Sequence, residues 1–130
     1  MSEDDEQVAA DADDPHRSNR EFVDYYTERH KTAPLIARFE SDKHKVTAFL
    51  ASRAHRPPRT ILDVGCGPGT QAMIWAADGY EVSALDINEA LVDVARQRAE
   101  VKGLQIDFRL GDSATLGGQY IRCRHDPRAP

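Results

Sequence analysis

Cysteine is scarce in this sequence: among 130 residues only Cys66 and Cys123 are cysteines. Two thiols, one inside a glycine-rich loop, make no disulfide framework, so a reducing, cytoplasmic setting is expected. No apolar run approaches the roughly 18 residues of a membrane span, and no signal-peptide pattern opens the chain. No basic stripe interleaved with aromatics is present, which argues against a nucleic-acid partner. Cys123 and His125 have no partners at finger spacing, so no metal site is expected. Bases are missing from residues 1–14, which hold seven acids and neither Lys nor Arg. The formal charge of -5 therefore resides at that end; residues 15–130 carry 15 acids against 17 bases. Residues 1–18 are read as an acidic disordered tail. The length allows one domain at most.

What is present is concentrated in Ile61-Leu62-Asp63-Val64-Gly65-Cys66-Gly67-Pro68-Gly69-Thr70. A short β-branched run, a carboxylate and three alternate glycines read as a strand that ends in a tight loop opening a helix. Glycines let such a loop turn sharply and let its backbone approach a ligand. A dinucleotide fingerprint has the spacing G-x-G-x-x-G. Here the spacing is G-x-G-x-G, and Asp63 stands two residues before the first glycine. A carboxylate there would repel a pyrophosphate, which disfavours an NAD-dependent oxidoreductase. A ligand with a cationic amino-acid portion and no phosphate, S-adenosylmethionine (SAM), suits Asp63 better. Cys66 fills a position that requires only a small residue, with no His nearby in sequence to activate it.

Over Ile61 to Thr70 the chain resembles the class I SAM-dependent methyltransferases, whose first motif reads closely this way. The downstream residues agree. Tyr80 to Ile87 is a second short strand ending in Asp86, about twenty residues past the loop, where Rossmann-type sites place a carboxylate for ribose hydroxyls. Leu104, Ile106, Phe108 and Leu110 alternate with polar residues in a third strand that ends in Gly111-Asp112-Ser113. The resemblance implies that Asp112 takes the adenine amino group and that the Ser113 backbone lies beside the ring. The candidate cofactor residues are therefore Asp63, Gly65, Cys66, Gly67, Gly69, Asp86, Ile87, Asp112 and Ser113. Structural readings stand beside these: Asp63 as a cap on its own loop, Asp86 as a helix cap (a role for which Asn88 is better placed), and Asp112 as a turn residue.

The organisation follows from the patterning. Residues 19–59 read as an N-terminal helical lid: a helix around Phe22 to Tyr26, a second opened by Pro34, and a third capped by Ser41. Arg56-Pro57-Pro58-Arg59 ends it. Residues 60–116 read as a SAM-binding Rossmann-like half-domain, with strands at 60–64, 81–86 and 104–110 and helices at 70–78 and 88–102. Gly79 and Gly103 serve as stops. Alternating strands and helices mean an α/β fold with a parallel sheet, and the resemblance implies the strand order 3-2-1 and a lid over the cofactor mouth. Residues 117–130 are irregular, where the family has a fourth strand beside the first. A truncated chain carrying the cofactor-binding half is the expectation.

The expected activity is methyl transfer to a small molecule, such as a quinone precursor or other metabolite. Tyr25, Tyr26, His30 and His44 lie in the leading helices, the tyrosines as packing aromatics and the histidines as exposed positions; none is assigned as a catalytic base. The rival reading is a SAM-binding fragment without catalysis. An unpaired first strand implies self-association through its edge.

Overall fold

The computed structural model describes residues 17–116. Its elements are α1 (Arg17–Arg29), α2 (Ala33–Arg53), β1 (Thr60–Val64), α3 (Thr70–Ala77), β2 (Glu81–Asp86), α4 (Glu89–Val101) and β3 (Asp107–Leu110), followed by a 3-10 turn at Ser113–Leu116. The three strands form one parallel sheet in the order β1-β2-β3, the 3-2-1 half-sheet read from the sequence. Thr60 pairs with Glu81 and Val64 with Leu85, while Ser83 pairs with Asp107. That register brings the carboxyl ends of all three strands to one rim, where open α/β sheets bind ligands. The acidic tail and the segment 117–130, with Cys123 and His125, lie outside the described residues. Among those described, no helix is long and apolar enough to cross a membrane.

One core cluster holds the half-sheet together. Val82 and Ala84 of β2 and Phe108 of β3 pack with Ala72, Met73 and Trp75 of α3 and with Val92, Ala95 and Ala99 of α4. The helical residues at 92, 95 and 99 are i, i+3 and i+7 neighbours, the stripe that a helix lays on a sheet. Small alanines there let α4 sit close. Trp75 meets Tyr80 edge to face at 4.8 Å, and the Arg59 guanidinium lies over the Tyr80 ring at 4.3 Å. β1 contains no fully buried residue. Among the described residues it pairs with β2 alone, and Ile61 and Asp63 help to line a groove of about 270 Å³ with Val46 and Leu50, among others.

Two features depart from the sequence reading. Ser41 does not cap a separate helix; α2 runs unbroken from Ala33 to Arg53. An N-cap needs extended backbone, and Thr32 supplies it with φ -74 and ψ 141. No glycine or proline between Leu35 and Arg53 interrupts the helix afterwards. The third strand is also shorter than 104–110. Leu104 N–H donates to Ala99 O, so this residue still belongs to the exit of α4, and ladder pairing starts at Asp107. Asn88 does cap α4, its side chain accepting from Leu91 N–H at 3.2 Å.

The continuous α2 makes a simple prediction. Ser41→Ala at this exposed mid-helix site should leave stability unchanged or raise it by about 0.5 kcal/mol, whereas loss of a true cap costs about 1 kcal/mol. Urea denaturation of the two proteins distinguishes the signs.

Candidate cofactor-binding site

The glycine loop leaves β1 and turns back under three left-handed glycines, at φ 75 for Gly65, 55 for Gly67 and 84 for Gly69. The three have different surroundings. A side chain at Gly65 would meet nothing within 4 Å, so this is the open face of the loop. At Gly67 a Cβ would lie 3.7 Å from the ring of His30. At Gly69 it would come within 2.9 Å of the Ala95 side chain and 3.4 Å of Phe108. Gly69 therefore serves the packing of loop on α4, and Gly65 is the glycine a ligand can approach. Cys66 is buried, and burial with the nearby carboxylates of Asp63 and Asp86 pushes its thiol up to about 12. A thiol that stays protonated is neither nucleophile nor metal ligand.

Asp86 is the fastening of the rim. One carboxylate oxygen accepts from Gly67 N–H at 2.9 Å and the other from Asn88 N–H at 2.8 Å. Its backbone carbonyl accepts from Gly111 N–H at 2.9 Å. One residue thus joins the loop after β1, the cap of α4 and the exit of β3. Each carboxylate oxygen retains capacity for a further donor, so the ribose assignment and the capping reading are compatible in geometry.

Asp63 is in the opposite condition. Its Oδ2 is buried and accepts no hydrogen bond. Burial, with the Asp86 charge as a second cause, raises its carboxyl from 3.8 to about 6. An isolated buried carboxylate is costly unless a cation arrives to pair it. The capping reading of Asp63 therefore does not account for Oδ2. Beyond these acids, the rim exposes one apolar residue at each strand end: Val64 at 51%, Ile87 at 76% and Leu110 at 52%. Such residues give a flat ligand an apolar platform. Asp112 accepts from Ala114 N–H at 2.9 Å, which starts the 3-10 turn; Asp112 and Ser113 are exposed at the β3 end of this rim.

Helix α1 and the turn after it contact the same rim. Asn88 Nδ2 donates to Asn19 Oδ1 at 2.8 Å, and the hydroxyl of Thr70 donates to the carbonyl of His30 at 3.1 Å. His30, expected to be exposed, is half-buried against Gly67, with its ring 5.9 Å from Tyr26 and 5.7 Å from Phe39. Burial, with Arg98 and Arg29 nearby, lowers its pKa, so it is neutral near pH 7. Tyr25, Tyr26 and His44 are exposed. Among the described residues no group of three or more His, Cys, Asp or Glu is arranged to hold a metal. The residues missed from sequence are Thr70 and Arg98. The Arg98 guanidinium donates to Pro68 O at 2.8 Å and to Thr70 Oγ1 at 2.9 Å.

Comparison with known proteins agrees with this geometry. A methyltransferase-domain family model matches residues 61–120. A ubiquinone biosynthesis O-methyltransferase from Xanthomonas campestris is 37% identical over 71 residues, covering 55% of this chain and 30% of that enzyme. A trans-aconitate 2-methyltransferase from Methylobacterium radiotolerans is 36% identical over 84 residues, or 62% of this chain and 31% of the enzyme. Among solved structures, the magnesium protoporphyrin IX methyltransferase of Synechocystis, with bound SAM, matches at a TM-score of 0.51 and 30% identity. That match covers 75% of this chain and 44% of the other. Over residues 61–120 the chain is thus similar to the class I SAM-dependent methyltransferases. The chain spans about 30% of the length of these two curated relatives.

Two expected outcomes test the site without any ligand. Gly69→Ala combines a strained φ with a clash against Ala95 and should destabilise by about 2–4 kcal/mol, while Gly65→Ala meets open space and should cost only about 1–2 kcal/mol. For Asp63 the sign follows from its raised pKa. The folded state holds the proton more tightly than the unfolded chain, so stability falls as pH rises from about 4 to about 6 and stays low above that. A shift of this size corresponds to roughly 3 kcal/mol. Asp63→Asn should therefore be more stable than the parent at pH 7.5 and equal to it near pH 4. Thermal melts across that range give the comparison.

Proposed function

We propose that residues 60–116 form a half-domain that binds SAM, with residues 19–59 as its lid, and that the whole protein transfers the SAM methyl group to a small molecule. The observation that carries this reading is the buried, unpartnered oxygen of Asp63, two residues before the open Gly65. It suits a ligand that brings a cationic ammonium and no phosphate. Ile87 and Leu110 would flank an adenine ring, with Asp112 and Ser113 at its edge. Asp86 would add ribose hydroxyls to the two backbone N–H groups it already accepts. Gly67 and Cys66 would contribute backbone, and Gly69 would support from below.

When bound, SAM supplies a sulfonium-activated methyl group. The chain's residues then need only hold the amino-acid end at Asp63, hold the nucleoside at the β2 and β3 ends, and exclude water with the lid. With SAM held there, the acceptor would meet the methyl carbon in line with the carbon–sulfur bond, whose electron pair would go to sulfur, and the acceptor proton would pass to water. His30, neutral and held above Gly67, is the described side chain best suited to lie near the methyl group. Self-association is part of the same proposal, since the outer edge of β1 carries backbone groups able to pair with a second copy; light scattering detects it.

Isothermal titration tests the reading. SAM and its demethylated product should both bind, and NAD should not. Affinity should rise as pH increases through about 6, because only the ionised Asp63 attracts the ammonium. Binding of NAD with no binding of SAM would overturn the assignment. Binding of SAM with no methyl release to any acceptor would favour a SAM-binding module without catalysis.

A further inference from the structure

We propose that Thr70 is a positioning residue that registers the lid on the glycine loop. Its hydroxyl couples the order of α1 to the geometry of the loop. The inference rests on the SAM-site reading for its effect on affinity, but the coupling itself can be measured without ligand. Thr70 is the only buried polar residue among the described residues, at 4% exposure. It occupies the first position of α3, where a hydroxyl is not needed by the helix, and Gly69 rather than a side chain provides the N-cap.

The hydroxyl is used in two directions at once. It accepts from Arg98 Nη1 at 2.9 Å and donates to the carbonyl of His30 at 3.1 Å. That carbonyl lies just past the end of α1, where the last turn of a helix leaves acceptors without partners. Arg98 meanwhile fixes the loop itself by donating to Pro68 O at 2.8 Å. The guanidinium is half-buried and feels the charge of Glu28 on the lid. The lid's far end is tied by Asn19 to Asn88, an exposed contact. Thr70 is the buried end of that strap. Placing His30 over Gly67 depends on it, because the carbonyl and the ring belong to the same residue.

Thr70→Val keeps the shape and removes the hydroxyl; Thr70→Ser keeps the hydroxyl. Amide hydrogen exchange and SAM titration are measured for both against the parent. In Thr70→Val the amides of Val23 to His30 should exchange about fivefold faster, and SAM should bind about fivefold more weakly, as expected from loss of the bond to the His30 carbonyl, while Arg98 keeps its bond to Pro68. The amides of Val82 to Leu85 should not change. Thr70→Ser should stay within about twofold of the parent in both readouts. Equal behaviour of the Val and Ser variants would overturn the proposal. So would acceleration spread evenly over lid and sheet, which marks a merely structural threonine. If the parent does not bind SAM while Thr70→Val still loosens α1 alone, the coupling stands and the SAM reading fails.

Discussion

The rim of this half-sheet depends on the carboxylate and carbonyl of Asp86. The loop after β1, the start of α4 and the exit of β3 meet there, and each of the three brings one backbone N–H that no regular ladder satisfies. Gly67 and Asn88 find an acceptor on the side chain, and Gly111 finds its own on the carbonyl. A buried N–H left unpaired costs about as much as the bond itself. A single acid at the end of β2 therefore fixes the loop, the cap of α4 and the exit of β3 in one arrangement before any ligand arrives.

That arrangement has an electrostatic consequence. Asp63, near the end of β1, is largely buried and feels the negative charge of Asp86. One acid is satisfied by backbone donors and the other is left without any. The two acids therefore differ in kind: Asp86 holds the frame, and Asp63 keeps an unpaired buried oxygen that, under the proposed function, a cation would meet. Preorganisation of this kind moves ordering costs from binding into folding.

Much of this was legible in the sequence. Strands at 60–64 and 81–86 appear where the apolar runs and the loop glycines put them, because short runs bounded by glycines leave little room for another register. The glycine spacing and Asp63 carried the ligand class. What was not legible depends on contacts between distant residues. Arg98 and Thr70 are 28 positions apart, and no spacing rule links them. His30 read as exposed because its helix is charged; the turn at Lys31 and Thr32 folds it over Gly67. The different roles of the three glycines were equally hidden, since only the position of α4 makes Gly69 a packing residue and Gly65 an open one.

The most direct test follows the Asp63 carboxyl itself by carbon NMR, as a function of pH, in the free protein and with SAM. The account predicts a midpoint near 6 in the free protein, falling by at least one unit when SAM is added, as an ammonium pairs the carboxylate. A free-protein midpoint near 4 would mean that Asp63 is already satisfied. A midpoint that SAM does not move would mean that no cation reaches it, and either result contradicts the account.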